Sequence, residues 1–193
     1  MRLILVRHPQ PEVASGVCYG SSDVAVAPHI LAATRTSLGA RLPAHLPLYT
    51  SPLSRCAELA STLADDLQAS QLTQDARLME MDFGCWELRA WHDIARNEID
   101  AWAADLAHYR PGGGENVLAM ATRLSAFLDE LLREKHAAAI VICHAGTIRL
   151  LSALQAGLPL AQTARQAASS AHKIGYGEIV TLDFAPPIVT PAV

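Results

Sequence analysis

The sequence has no excess of positive charge, no closely spaced cysteine pair and no long apolar run, and each lack excludes a class of function. Its 193 residues carry a formal net charge of −4, so a broad basic face for nucleic acid is not expected and any anion must be met by a local cluster of arginines. Cys18, Cys56, Cys85 and Cys143 show neither CxxC spacing nor a ligand rhythm with histidine. A chain of this length needs no disulfide framework, so the thiols are read as reduced and the protein as cytoplasmic. No apolar run approaches the roughly 18 residues of a membrane span, and the first, 3–6, is too short for a signal peptide. No carboxylate cluster has metal-ligand spacing, so neither a metal nor another cofactor is expected. No internal repeat is present.

What remains is ordinary globular composition, 51% hydrophobic and 18% charged, in a chain that fits one domain of 1–193 and buries about 70% of its extended surface. Residues 2–6 read as the first strand, and its apolar run, 3–6, does not alternate, the mark of a strand buried on both faces. Residues 8–28 hold Pro9, Pro11, Gly16, Gly20 and Pro28 and read as a long functional loop. A helix is expected over 30–42 and a short strand over 48–50. Ser51 reads as the N-cap and Pro52 as the first residue of a helix reaching about 67. After an extended piece at 72–78, residues 80–114 read as an irregular or helical insertion lying over the sheet. A turn at 111–114 leads to a helix from Glu115 to about 135, a strand at 138–143 and a helix from Thr147 to about 156. Two final strands, 171–175 and 178–184, precede a loosely held tail from Ala185. Strands alternating with helices predict an α/β fold, a three-layer α/β/α sandwich with a mainly parallel central sheet.

Two of these strands end in chemistry. The run Leu3-Ile4-Leu5-Val6 stops at Arg7-His8, and Ala139-Ile140-Val141-Ile142-Cys143 stops at His144. In parallel sheets ligands bind beyond the carboxyl ends of the strands, and Arg55 and Glu80 follow other elements that end there. Arg55 lies in the first turn of a helix, where the macrodipole disfavours a cation unless an anion shares the spot. His144 precedes a helix start, whose free N–H groups favour an anion. Glu80 sits in the apolar stretch Leu78-Met79-Glu80-Met81-Asp82-Phe83, surroundings that suit a general acid. Two histidines with arginines at one sheet edge point to phosphoryl transfer.

These segments resemble the histidine phosphatase superfamily, also called phosphoglycerate mutase-like. Val6-Arg7-His8 is similar to its Arg-His-Gly opening, and Thr50-Ser51-Pro52-Leu53-Ser54-Arg55-Cys56-Ala57 to its Ser-Ser-Pro-Leu-x-Arg-Ala stretch. The segment 78–87 resembles its Leu-x-Glu-x-x-Phe-Gly-x-Trp-Glu block, Gly113-Gly114-Glu115-Asn116 its Gly-Gly-Glu-Ser turn, and 143–149 its Ser-His-Gly-Gly-x-Ile-Arg segment. The resemblance implies a phosphoglycerate mutase-like fold and a metal-independent phosphomonoesterase acting on a small phosphorylated metabolite. It implies His8 as the nucleophile of a phosphohistidine intermediate. Arg7, Arg55 and His144 would surround the phosphoryl oxygens, and Glu80 would serve as proton donor and then as base. Substrate contacts are expected from Gln10, Tyr19, Gly20 and Ala145.

Three departures mark this chain. Pro9 replaces the family's glycine after the nucleophile, Pro11 its Ser/Thr, and Ala14 its Asn, so phosphate contacts from the first loop are altered. The Arg-His-Pro opening followed by Cys18-Tyr19-Gly20 and Asp23-Val24 looks most like the α-ribazole phosphatase-like branch, which removes a 5′-phosphate in cobalamin synthesis. The short insertion and tail favour hydrolysis over mutase transfer. The remaining alternative is a phosphate- or partner-binding module in which Pro9 and Pro11 have spoiled catalysis. Trp86, Trp91 and Trp102 are read as packing of the insertion rather than as rings stacked over the site. Arg149 is read as bracing its helix or pairing with an acid.

Overall fold

A computed structural model describes residues 1–169 and 173–184. Five strands form one sheet in the order β3-β2-β4-β1-β5: β1 Arg2–Arg7, β2 Pro47–Thr50, β3 Gln71–Gln74, β4 Ala138–Cys143 and β5 Ile179–Asp183. All neighbours are parallel except β5, which runs antiparallel to β1 at the edge. Six α-helices accompany them: α1 Pro28–Gly39, α2 Ser54–Asp66, α3 Arg96–Ala104, α4 Val117–Arg133, α5 Ala145–Leu154 and α6 Leu160–Ser169.

The unalternating apolar runs are explained by layers on both faces. Side chains alternate across a strand, so Ile4 and Val6 join Leu48, Ile140 and Ile142 under α1 and α2, packed on Leu38, Cys56, Leu59 and Leu63. Leu3 and Leu5 join Ala139, Val141 and Cys143 on the opposite face, under Met120, Leu124 and Phe127 of α4, Ile148 and Leu151 of α5, and Ala164 and Ala167 of α6. This is the expected α/β/α sandwich with a mainly parallel sheet.

Several boundaries differ from expectation for identifiable reasons. Helix α2 begins at Ser54, not Pro52, and its cap comes from far along the chain: Asp23 Oδ1 accepts the Ser54 N–H at 2.8 Å and its hydroxyl at 2.7 Å. Helix α4 starts at Val117 because Asn116, whose side chain accepts from the Ala119 N–H at 2.8 Å, is its cap. Helix α5 starts at Ala145 with His144 as N-cap residue. Helix α6 was not anticipated. Its buried face is Thr163, Ala164 and Ala167, residues too small to show a strong apolar period. The strand expected at 171–175 is absent over 173–175, and 171–172 lie outside the described residues, as does the tail from Ala185. The extended piece at 72–78 divides into β3 and a 3-10 turn at Ala76–Leu78.

The 80–114 segment contains 3-10 turns and α3 but no strand. Its aromatic residues pack on one another: Trp86 is fully buried against Cys18 and Ile94, and Phe83, Trp102 and Tyr109 lie against that group. No helix of the described residues is long and apolar enough to cross a membrane.

Candidate active site

The sheet register brings the histidines together. Arg7 on β1 pairs with Cys143 on β4, and Thr50 on β2 with Ile142. Each strand therefore releases its next residue at one edge. The His8 N–H donates to the Cys143 carbonyl at 3.0 Å and the Ser51 N–H to the Ile142 carbonyl at 3.1 Å. The two imidazole rings of His8 and His144 end with centroids 5.1 Å apart.

His8 is held by its neighbour. Its Nδ1–H donates to the Pro9 carbonyl at 2.6 Å, so the lone pair sits on Nε2. Burial, then the Arg55 charge, and less strongly Arg7, lower its pKa to about 3 against the upward pull of the Pro9 carbonyl. His8 is thus a neutral, oriented nitrogen base. The proline that removes one N–H from the loop supplies the acceptor that selects the tautomer.

His144 is fully buried and also neutral, its pKa pushed well down by burial first and then by the neighbouring His8 and Arg55. Arg55 Nε–H donates to His144 Nδ1 at 3.3 Å, so Nε2 carries the proton and meets Ser51 Oγ at 2.9 Å. Ser51, expected as a helix cap, instead accepts from His144 and, at 3.3 Å, from the Leu53 N–H. Both ring nitrogens of His144 are occupied within the protein.

Arg55 has no solvent exposure. Its Nη1 donates to the Ser22 carbonyl at 2.7 Å and its Nη2 to the Gly20 carbonyl at 2.5 Å. The cation at the helix start is therefore compensated by backbone dipoles of the first loop as well as being available to an anion in the cavity it lines. The loop itself hangs on Glu87, a residue that sequence reasoning left without a role. Its carboxylate accepts the N–H groups of Gly20, Ser21, Ser22 and Phe83 at 2.8, 2.9, 3.2 and 3.0 Å, and the hydroxyls of Ser21 and Ser22 at 3.3 and 2.6 Å. Burial alone would raise the Glu87 pKa, but these donors outweigh it and hold the carboxylate below its ordinary range. The clue in the sequence was its place directly after Trp86 in the recognised block.

Arg7 donates from Nη1 to the Ile174 carbonyl at 2.5 Å, with its guanidinium carbon 3.9 Å from the centroid of the Tyr176 ring. Tyr176, also missed, bonds through its hydroxyl to the Tyr19 hydroxyl at 2.7 Å, joining the first loop to the segment before β5. No motif announced it.

Glu80 Oε2 accepts the Gly146 N–H at 3.0 Å. A Cβ at position 146 would lie 2.3 Å from Glu80 Oε1, so glycine is needed for this approach. The backbone before Glu80 is clamped by Arg123, whose Nη1 donates to the carbonyls of Arg77 and Met79 at 2.5 and 2.8 Å while Glu115 pairs with its other nitrogens at 2.8 Å.

A cavity of about 580 Å³ opens at this edge, lined by Arg7, His8, Tyr19, Arg55, Glu80 and Ala145 together with Met81, Phe83, Trp91, Trp102, Val117, Met120 and Leu150. Three expected site residues stand elsewhere. Gln10 is exposed and does not line it. Gly20 lies behind the wall, with its N–H on Glu87 and its carbonyl on Arg55; a Cβ there would meet the Met81 carbonyl oxygen at 1.9 Å. His144 likewise contributes no wall. Cys18 and Gly20 thus shape the loop, while Tyr19 alone of that triplet faces the cavity. The tryptophans divide as well: Trp86 is core, whereas Trp91 and Trp102 reach the cavity, their rings stacked 8° from parallel at 6.0 Å. Among the described residues no three His, Cys, Asp or Glu side chains gather to hold a metal ion.

The buried histidines make stability acid-sensitive. Both have folded pKa values below the roughly 6.5 of the unfolded chain, so the unfolded state binds more protons as pH falls. Stability is full above pH 6.5 and drops below it, by up to about 1.4 kcal/mol per pH unit for each histidine. Denaturant midpoints at pH 7, 6 and 5 will show this fall. A His8→Gln, His144→Gln double variant will have a flatter slope; an equally steep one would assign the effect to other groups.

The sequence model of the histidine phosphatase superfamily (branch 1) matches residues 3–179. The adenosylcobalamin/alpha-ribazole phosphatase of Escherichia coli K12 is 29% identical over 170 residues, covering 82% of this chain and 81% of that one. The structure of a mycobacterial glucosyl-3-phosphoglycerate phosphatase superposes with a TM-score of 0.76 at 25% identity, covering 94% and 89% of the two chains. The alpha-ribazole phosphatase of Shigella flexneri has the same fold, with a TM-score of 0.78 at 24% identity over 95% and 90%.

Proposed function

The chain belongs to the histidine phosphatase superfamily, branch 1, as a phosphomonoesterase, and on that premise we propose that it hydrolyses α-ribazole 5′-phosphate through a phosphohistidine on His8. The observation that carries the mechanism is the bond from His8 Nδ1–H to the Pro9 carbonyl, which leaves Nε2 unprotonated and free to attack. The Nε2 lone pair forms the N–P bond as the ester P–O bond breaks. Glu80 gives its proton to the departing alkoxide, then takes one from the water that cleaves the N–P bond, releasing phosphate and restoring neutral His8. Arg7 and Arg55 meet the charge spread over the phosphoryl oxygens. His144, bonded to Arg55 Nε, orients that guanidinium, and reaches phosphate only by exchanging one of its present partners. Residues 80–114 serve as the cover of the site, since Phe83, Trp91 and Trp102 form much of its wall.

The substrate class follows from that wall. Beside Arg7, Arg55 and Arg149 the lining includes Phe83, Trp91, Trp102, Val117 and Met120, which suits a phosphate ester that also carries a flat apolar ring. With a chelator present, kcat/KM for α-ribazole 5′-phosphate is expected to exceed that for phosphoserine, glucosyl-3-phosphoglycerate and phenyl phosphate by about 10-fold or more. Preference for one of the other three would overturn the substrate.

Glu87 acts on the same reaction through Arg55. Glu87→Gln turns an amide N–H toward donors that need an acceptor, loosens 20–22 and lets the two carbonyls that hold Arg55 drift. The expected result is a loss of about 1–3 kcal/mol in stability and a fall of roughly 10- to 100-fold in kcat/KM. Denaturation and steady-state kinetics on the purified variant will measure both. Unchanged kcat/KM would mean that Arg55 holds its place without the loop.

A further inference from the structure

The cavity continues past the phosphoryl end along α5. Ala145, Gly146, Arg149 and Leu150 of that helix all line it, the spacing of a single helix face. Arg149 lies four residues beyond Ala145, about 6 Å along the helix axis. The expectation that it pairs with an acid does not hold. Among the described residues no acceptor meets its guanidinium, and its Nε is buried without a partner. Arg7 Nε and Trp102 Nε1 are also buried without a partner, but every other buried or half-buried arginine has at least one acceptor: Arg7 on Ile174, Arg35 on Asp66, Arg55 on Gly20 and Ser22, Arg77 on Asp75, and Arg123 on Glu115. Arg149 instead keeps one buried donor without an acceptor while lining a cavity whose wall includes Phe83, Trp91, Trp102 and Leu150. A buried N–H without an acceptor is costly, and a ligand acceptor at Nε would relieve that cost.

We propose that Arg149 is a specificity-determining residue whose guanidinium donates to the ring-nitrogen lone pair of a flat heteroaromatic leaving group seated against Phe83, Trp91 and Trp102. The inference rests on the reading of the site as one for α-ribazole 5′-phosphate, whose benzimidazole carries such a nitrogen on the edge of an apolar ring. A carboxylate is the rival acceptor. It would have to shed its water among apolar walls with one cation for company, whereas an uncharged ring nitrogen gives up little and the ring faces gain contact. The planar donor array of arginine also matches an in-plane lone pair.

The test compares α-ribazole 5′-phosphate with its indole counterpart, in which C–H replaces the acceptor nitrogen and the shape is kept. The parent enzyme is expected to prefer the benzimidazole by about 10- to 100-fold in kcat/KM, mostly through KM. In Arg149→Met that ratio falls to near one. The ratio is internal to each protein, so partial misfolding does not move it. An unchanged ratio in Arg149→Met overturns the proposal, as does a selective loss of phosphoserine turnover, which would make the residue a carboxylate reader. If the parent hydrolyses neither nucleotide, the substrate assignment fails by itself. The subsite is then read with the unphosphorylated nucleosides as inhibitors of phenyl phosphate hydrolysis. Stronger inhibition by the benzimidazole, lost in Arg149→Met, supports the role of Arg149; equal or absent inhibition removes it.

Discussion

Replacing His8 with alanine is expected to lower kcat for phenyl phosphate by on the order of 10³-fold or more and to abolish the acid-labile phosphoprotein seen after brief incubation with substrate. The size of the effect follows from how the imidazole is prepared. Its Nδ1–H is committed to the Pro9 carbonyl, and burial with two arginines keeps the ring neutral down to a pH of about 3. The nucleophile therefore needs no deprotonation before it attacks, and among the described residues no other cavity-lining side chain offers an unprotonated nitrogen at that place. Steady-state rates and trapping of labelled enzyme under mildly alkaline quench test this together. Retention of the parental rate by His8→Ala would end the phosphohistidine assignment. The same chemistry bears on Pro9: its backbone carbonyl is the acceptor for Nδ1–H, so the loss of its own N–H leaves the orientation of His8 intact.

Arg55→Ala should be the next most damaging change, and it should injure fold and catalysis at once. The guanidinium is fully buried and joins the carbonyls of Gly20 and Ser22 to the ring of His144. Its removal strands two carbonyls and one imidazole nitrogen, a loss of about 2–4 kcal/mol. It also withdraws a cation from the phosphoryl oxygens, worth on the order of 10²- to 10³-fold in kcat/KM. With the Arg55 charge gone, the pKa of His8 rises back toward its ordinary value, since that charge is the second cause of its depression. The acid limb of the kcat/KM profile should then move to higher pH. Arg55→Lys should recover little, because one ammonium cannot span two carbonyls and a ring. A lysine variant with parental kcat/KM would show that charge alone suffices.

Much of this site was legible along the chain because it is built from local signals. A four-residue apolar run ending in Arg7-His8 and another ending at His144 are complete statements within seven positions, and the parallel-sheet rule places both ends together. Arg55 stood out by its helix-start position. Other assignments failed where the deciding partner is distant in sequence. Ser51 has every local mark of a cap, yet the first turn of α2 is capped by Asp23, thirty-one positions before the Ser54 it bonds. That leaves the Ser51 hydroxyl for His144. Gln10 sits in a loop of otherwise functional residues but is exposed and does not line the cavity, a matter of loop path alone. Helix α6 escaped notice because packing against α4 and α5 needs small side chains, and alanines carry almost no periodic signal.

By itself the sequence determined the alternation of buried strands and helices, and with it the edge where Arg7, His8, Glu80 and His144 must meet. It determined the type of chemistry too, because residue identity decides what can attack, donate or neutralise. Only the tertiary structure decided the state of those groups. The tautomer of His144 depends on Arg55 and Ser51, the set of Arg55 on a loop held by Glu87, and the exposure of Arg149 to a tryptophan-walled cavity on the absence of any acceptor beside it among the described residues. Burial and hydrogen bonding act through space between segments tens of residues apart, and a one-dimensional pattern carries no measure of that distance.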